Sequence, residues 1–103
     1  MRNKYGAVKV IIDGIKFDSK AEGRRYKTLK LLERAGEITN LELQPRYDLI
    51  INEIKCGFYK ADFRYLQDNE LVVEDVKGVK TPVYNLKKKL IKAIYGIEIL
   101  ETK

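Results

Sequence analysis

The segment FYKADFRYLQDNELVVEDVKG, residues 58–78, predicts a hairpin of two antiparallel strands around which the rest of the chain is organised. One strand is expected over Phe58–Leu66 and the other over Leu71–Lys77. Between them lies the polar stretch Gln67–Glu70, whose Asp and Asn residues tolerate the left-handed backbone that hairpin turns require. The segment therefore predicts which residues of the two strands face each other.

Two aspartates are expected to face each other across this hairpin. The numbers of facing residues have a constant sum in a hairpin, which pairs Asp62 with Asp75. Facing side chains lie roughly 5 Å apart, and like charges at that distance destabilise a sheet. Lys77 follows two residues after Asp75 and lies on the same face. Such a pair needs a neutralising partner, and a hard divalent cation such as Mg²⁺, which one or two carboxylates commonly hold, meets that need.

The composition limits both the fold and the chemistry. With 103 residues, 45% of them hydrophobic and 35% charged, the chain predicts one globular domain over residues 1–103, with a flexible basic tail at residues 1–6. No apolar run reaches the roughly 20 residues of a membrane span, and no signal peptide is expected. The chain has no histidine. This excludes a serine or cysteine nucleophile that a histidine activates, and it removes the usual zinc ligand. Carboxylates, lysine, tyrosine and water must therefore perform any acid–base or metal chemistry.

The balance of charges favours an anionic partner. The net charge is +6 and the isoelectric point is about 9.4. Nucleic acid is the first partner that such a balance predicts. The alternative is that the positive charge serves solubility alone.

The whole chain predicts a mixed α/β fold of the α+β kind, in which helices flank a small mixed sheet. The other elements expected before the hairpin are, in chain order, a strand at Val8–Ile12, an Asp13–Gly14 turn, a return strand at Ile15–Phe17, a helix at Lys20–Ala35, and strands at Ile38–Leu43 and Tyr47–Ile51. Pro45 separates the last two strands, and a loop containing the single Cys56 follows at Asn52–Gly57. After the hairpin, a helix is expected to begin at Thr81–Pro82 and a strand is expected at Ile97–Leu100.

The first helix carries charge on its inward side. Helical periodicity predicts an inward stripe that is otherwise apolar, made of Ala21, Leu29, Leu32 and Gly36, with Arg25 inside it and Glu22 and Tyr26 on its edge. Ser19 and Glu22 also match a capping box, in which the glutamate reaches back to the Ser19 amide. A buried Glu or Arg is costly unless that end of the helix borders a polar cleft. The cap and the cleft are compatible interpretations of Glu22.

The second helix predicts an apolar stripe and a basic face. The stripe is expected at Val83, Leu86, Leu90 and Ile94, and the basic residues outside it are Lys88, Lys89 and Lys92. Lys87 shares the sector of the stripe, so its side chain either snorkels to solvent or reaches the cleft.

The two hairpin strands differ in their expected burial. On the first, the apolar face consists of Tyr59, Ala61, Phe63 and Tyr65. The second is expected to be covered on both faces over Leu71–Val73 and to become polar only from Glu74 onward. Charges that begin midway along a buried strand indicate a site more often than a surface.

Five segments together resemble the PD-(D/E)XK nucleases, the restriction-endonuclease-like superfamily. They are FDSKAEGRRY (17–26), LQPRY (43–47), ADFRY (61–65), VVEDVKG (72–78) and VYNLKKKL (83–90). More closely, the chain is similar to a family of small phage-encoded proteins of formerly unknown function that are related to Holliday-junction resolvases. The resemblance implies a restriction-endonuclease-like core.

The resemblance also implies an activity and a site. Glu22, Asp62 and Asp75 are expected to be metal ligands and, with Lys77, the catalytic residues. The expected activity is that of a Mg²⁺-dependent DNA endonuclease in which Mn²⁺ can substitute. Because the chain is short, it favours structure-selective, resolvase-like cutting, or weakly specific cutting, over site-specific restriction.

The same interpretation predicts the partners. Phosphate contacts are expected from Arg24, Arg25, Lys87 and Lys88. Relatives that resolve junctions imply a homodimer acting in phage DNA processing or recombination, in the cytoplasm of a bacterial host, without a membrane or a small-molecule cofactor. The DNA structure and the number of metal ions stay open.

Two other functions compete with the nuclease. One is a nuclease-like fold that binds DNA without cutting it, and the other is a small structural protein whose acids and lysine form salt bridges. The intact set of Glu22, Asp62, Asp75 and Lys77 argues against both, because a chain that does not cut has no need of all four.

Overall fold

The structure, a computed structural model, describes residues 8–103, and the tail expected at residues 1–6 lies outside them. Its elements are, in chain order, β1 (Val10–Ile12), β2 (Ile15–Phe17), α1 (Lys20–Arg34), β3 (Thr39–Leu43), β4 (Arg46–Ile51), β5 (Ile54–Lys60), β6 (Phe63–Gln67), β7 (Glu70–Val76), α2 (Pro82–Tyr95) and β8 (Ile99–Thr102). These elements confirm the predicted α+β class. Neither helix of this part of the chain is long and apolar enough to cross a membrane.

The central sheet has four strands in the order β3-β6-β7-β8. Its neighbours are antiparallel except for β7 and β8, which are parallel because α2 crosses over between them. Val72 and Val73 are consecutive on β7 and so point to opposite faces. Val72 packs in the core that contains α1, and Val73 packs in the core that contains α2. The two helices therefore cover opposite faces, which confirms a small mixed sheet flanked by helices.

The predicted β6–β7 hairpin and its register are confirmed. Asp68 and Asn69 alone form the turn, with φ of 53° and 64°, as a two-residue type I′ turn requires. The register pairs Phe63 with Glu74, so the preceding Asp62 lies in line with the residue after Glu74. The Asp13–Gly14 turn between β1 and β2 has the same geometry, with φ of 53° and 75°.

Two predictions near residue 58 are wrong. The strand expected over Phe58–Leu66 is broken at the two residues before β6, and its first part, β5, pairs with β4 in a separate two-stranded sheet. The loop expected over Asn52–Gly57 is a two-residue turn followed by β5, which contains the exposed Cys56. The outer part of this hairpin is exposed to solvent, so its residues lack the alternation that marks a strand.

The burial expected along β7 is reversed. Leu71 is 53% exposed, whereas the buried residues are Val73, Glu74 and Asp75. The turn end of the hairpin extends beyond the helices, while the other end of β7 lies between β6 and β8 and is covered on both faces. The polar residues of β7 are thus its most buried residues.

Helix α1 starts and ends within one residue of its prediction, but its inward stripe is rotated. The buried residues are Glu22, Gly23, Tyr26 and Leu29, whereas Ala21, Arg25 and Leu32 are partly buried and Gly36 is exposed. The hairpin of β1 and β2 packs against Gly23, where a Cβ would come within 2.8 Å of the side chains of Val10 and Ile12. This close approach turns Glu22 inward.

Helix α2 has the predicted Thr81 cap and the predicted end at Gly96. Its apolar stripe is wrong in the first turns, because Val83 and Leu86 are 61% and 57% exposed and Tyr84 is buried instead. Further along the helix, Ile91 is the buried residue. The last strand, β8, begins two residues later than predicted.

Candidate functional site

Three parts of the chain bring the predicted acidic residues together. They are the first turn of α1 with Glu22, the irregular junction between β5 and β6 with Asp62, and the end of β7 with Asp75. The Asp62 amide donates to the Glu74 carbonyl oxygen at 3.1 Å. The Val76 amide in turn donates to Oδ2 of Asp62 at 2.7 Å. These two bonds hold Asp62 in the register of the hairpin although it lies just before β6.

The three acidic side chains interact directly. The side chain of Asp62 lies close enough to those of Asp75 and Glu22 to share a proton with each. Burial, followed by the hydrogen bond and the negative charge of Asp75 and by the charge of Glu22, raises the pKa of Asp62 to about 9. Burial is also the first cause of a raised pKa at Glu22, and the charges of Asp18 and Asp75 add to it. Asp62 therefore holds a proton at neutral pH, between two other carboxyl groups.

Lys77 is the cation at this site. Its Nζ lies 3.1 Å from Oδ1 of Asp75, and its side chain is 25% exposed. The same ammonium lies 4.4 Å from the centre of the Tyr84 ring, within the range of a cation–π contact. The lysine thus lies between the buried carboxylates and solvent, which is where an anionic ligand would meet them.

The hydroxyl of Tyr59 completes the surroundings of Asp75. The Tyr59 hydroxyl donates to its Oδ2, and burial followed by this bond raises the pKa of Tyr59. Sequence reasoning placed Tyr59 on the apolar face and did not consider its hydroxyl. The available signal was the general rule that a buried tyrosine hydroxyl finds a polar partner.

Glu22 combines the two interpretations given to it. Its backbone amide donates to Oγ of Ser19 at 3.1 Å, so the N-cap half of the capping box is confirmed. The glutamate side chain does not complete the box in the expected way, because it is bonded to Asp62 and to the backbone of Asp18. The cap fixes the start of the helix, and the side chain is left to join the acidic cluster.

The donor chemistry of Glu22, Asp62 and Asp75 fits a hard divalent ion. Their oxygens are the ligands that Mg²⁺ prefers, and the three carboxyl groups outnumber the single ammonium of Lys77 that pairs with Asp75. Within residues 8–103, no three Asp, Glu, Cys or His side chains are already arranged as a metal ligand set. A bound cation would take the place of the proton that the raised pKa of Asp62 favours.

Arg25, which was predicted as a phosphate contact, is partly buried and pairs with an acid of the core. Its guanidinium forms a two-pronged ion pair with Glu74, with Nε–Oε2 at 2.6 Å and Nη2–Oε1 at 3.0 Å. Hydrogen bonding to Glu74 is also the main cause of the raised pKa of Arg25. Sequence reasoning missed this role of Glu74, although an arginine on an inward helix face is a signal for a buried acidic partner.

The other predicted DNA contacts differ in their surroundings. Arg24 is exposed on α1. Lys88 is partly buried, rather than facing fully outward, and pairs with Glu101 at 3.2 Å. The ammonium of Lys87 lies 5.3 Å from the centre of the Phe58 ring, so it packs against the β4–β5 hairpin instead of reaching the site.

Comparison with known proteins gives a family and no activity. The family model described as "Protein of unknown function (DUF1064)" matches residues 2–99. No curated protein and no solved structure matches the sequence. Because the family model covers nearly the whole chain, this protein belongs to the DUF1064 family.

Proposed function

We propose that this protein is a metal-dependent DNA endonuclease of the PD-(D/E)XK type. The observation that carries the proposal is the meeting of Glu22, Asp62 and Asp75, from three separate elements, beside the ammonium of Lys77. Three carboxyl groups beside one lysine repel one another, which is unfavourable in a core that has only a structural role. The same group has a use when it binds a divalent ion next to a phosphodiester. The resemblance of the five sequence segments to this superfamily supports the same conclusion.

In this proposal Glu22, Asp62 and Asp75 hold Mg²⁺, for which Mn²⁺ substitutes. When bound, the ion polarises the scissile phosphate and lowers the pKa of a water molecule. In the reaction, a water molecule would lose a proton as its oxygen adds to phosphorus, and one phosphorus–oxygen ester bond would break. The leaving oxygen would take up a proton, which gives a phosphate end and a hydroxyl end. The chain's own contribution is to keep the carboxylates together and to shield Asp75, which is 1% exposed, from bulk water.

Lys77 stabilises the negative charge that develops on the phosphate. Asp75 at 3.1 Å and the Tyr84 ring at 4.4 Å hold the ammonium in place. A charge that is fixed before the reaction needs no reorganisation during it, which is the basis of electrostatic catalysis. Tyr59 has a supporting role, because its hydroxyl orients the Asp75 carboxylate.

DNA is bound through its phosphates. The exposed Arg24 on α1 and a basic groove along α2 supply the positive charge, and the groove is lined by Asn85, Lys88, Lys89, Lys92 and Glu98. Such contacts make affinity salt-dependent and largely independent of sequence. This suits structure-selective cutting of branched DNA by a homodimer, as in resolvases, and a place in phage recombination or DNA processing within a bacterial cell.

A DNA-binding module without catalysis is the second candidate. Both oxygens of Asp75 already have partners in Lys77 and Tyr59, and within the described residues no ready-made ligand set is present. If these contacts persist in the presence of metal, the protein binds DNA without cutting it.

Cleavage of a panel of labelled DNAs separates the two candidates. The panel contains a four-way junction, a flap, a nicked duplex and a linear duplex, each incubated with Mg²⁺, Mn²⁺ or EDTA. The nuclease proposal predicts cleavage of a branched substrate with either metal and none in EDTA. Binding of the junction without cleavage in both metals would contradict it and support the binding module.

A further inference from the structure

We propose that the buried Arg25–Glu74 pair positions the acidic site, by fixing helix α1 on strand β7 so that Glu22 meets Asp62. The inference deepens the proposed function, since it concerns the same site. Arg25 and Glu74 are positioning residues in this account and touch neither substrate nor metal.

Glu74 is the most completely bonded acid of the core. It is 0% exposed, and both of its oxygens have two donors. Oε1 accepts from Nη2 of Arg25 at 3.0 Å and from the Tyr65 hydroxyl at 2.7 Å. Oε2 accepts from Nε of Arg25 at 2.6 Å and from Oγ1 of Thr102 at 3.1 Å. This single carboxylate therefore joins α1, β6, β7 and β8.

The pair lies directly next to the residues of the acidic cluster. Arg25 follows Glu22 by three residues, which places the two on adjacent turns of one side of α1. Glu74 immediately precedes Asp75 on β7, so its position is fixed with that of the aspartate. A shift of α1 along the sheet would break the two-pronged bond to Arg25 and carry Glu22 away from Asp62. The fork geometry of a guanidinium is suited to fixing such a register.

Stability alone does not account for the pair. A buried ion pair contributes little net stability, because desolvation of both charges offsets their attraction, and apolar residues of similar size often serve as well. Apolar residues, however, cannot form the directional hydrogen bonds that fix one element in a single position on another. We therefore expect their substitution to preserve folding, with some loss of stability because the hydroxyls of Tyr65 and Thr102 lose their acceptor, and to loosen the placement of Glu22.

The test is a double-mutant cycle between Glu22 and Asp62, run in two backgrounds. Glu22→Gln, Asp62→Asn and their combination are compared by urea unfolding in EDTA, in the parent chain and in the chain carrying Arg25→Met with Glu74→Leu. We expect a measurable interaction free energy between positions 22 and 62 in the parent chain. In the substituted background this interaction free energy should fall by more than half. An unchanged interaction would overturn the proposal, as would the absence of any interaction in the parent.

A matched control and a milder variant keep the result interpretable. Arg24→Met with Glu70→Leu removes an exposed arginine of α1 and an exposed glutamate of β7, and it should leave the interaction unchanged. If the apolar pair does not fold, Arg25→Lys takes its place, since it keeps the charge and loses the fork; an interaction equal to that of the parent would then overturn the proposal. The cycle uses neither metal nor DNA, so a protein that cleaves nothing would contradict the nuclease and leave this result intact.

Discussion

Glu74 and Asp75 are neighbours on β7, equally buried at 0% and 1% exposure, yet their surroundings are opposite. The Glu74 carboxylate has one arginine and two hydroxyls as partners, and its charge is neutralised. The Asp75 carboxyl group shares one lysine and one tyrosine with two further acids. Burial alone therefore does not distinguish the carboxyl group of the candidate site. The distinguishing feature is negative charge that the protein leaves without enough cations.

Of the changes in unfolding free energy that this comparison predicts, the largest is expected on substitution of Arg25. Arg25→Met leaves Glu74 buried with no cation, and removing one partner of a buried pair costs about 3–5 kcal/mol of unfolding free energy. Urea denaturation measures the loss. Asp75→Asn is the matched change on the other side of the strand and should cost much less, since it removes charge from a crowded cluster. Equal losses in the two variants would remove the distinction between the two acids.

The second effect is a dependence of stability on pH that arises at Asp62. The pKa of Asp62 rises on folding from 3.8 to about 9, so the folded state binds more protons between these values and stability falls as pH rises through this range. In EDTA, unfolding free energy should decrease from pH 4 to pH 9, and Asp62→Asn should flatten the curve.

Added Mg²⁺ should reverse this loss. In the proposed function a cation would replace the proton at the acidic cluster, so the parent protein should regain stability at pH 8 to 9 when Mg²⁺ is present, by an amount that increases with its concentration. The variant Asp62→Asn should respond weakly. If Mg²⁺ shifts the melting temperature of parent and variant alike, the ion acts elsewhere on the protein.

The smallest effect concerns Glu101, an acid that cations neutralise at the surface. Hydrogen bonds from the Tyr84 hydroxyl and from Lys80 lower its pKa to about 2. Its stabilising effect is therefore present above pH 4.5 and lost as pH falls towards 2. Because the group is close to solvent, Glu101→Gln should cost less than about 1 kcal/mol at pH 7. A stability profile at low pH that matches the parent would show that these contacts contribute nothing.

The sequence predicted how the acidic residues meet better than it predicted the elements packed around them. The turn residues Asp68 and Asn69 determined the register, and the register placed Asp62 with Asp75, because pairing in a hairpin follows from local geometry. The capping signal at Ser19 placed the first turn of α1 correctly. Local rules were sufficient wherever the decisive contact lay within one hairpin or one helix turn.

The predictions that failed depended on packing between distant elements. The ion pair of Arg25 and Glu74 joins residues 49 positions apart, and no periodicity reveals which acid faces which arginine. The rotation of α1 follows from the close approach of the first hairpin to Gly23. The burial of Tyr84 in place of Val83 follows from a hydroxyl partner on β8. Each outcome depends on a contact that forms only when the chain has folded.

The most direct test of the central claim is junction cleavage by Asp75→Asn beside the control Asp48→Asn. Asp48 is a partly exposed carboxylate of the β4–β5 hairpin that pairs with Arg46 and Lys55, so the two variants make the same chemical change at different places. With a labelled four-way junction in Mg²⁺, the parent and Asp48→Asn should cut at similar rates. Asp75→Asn should lose at least about a hundredfold in rate and bind the junction as tightly as the parent or more tightly. Cleavage by Asp75→Asn at the rate of the parent would contradict the assignment of this site.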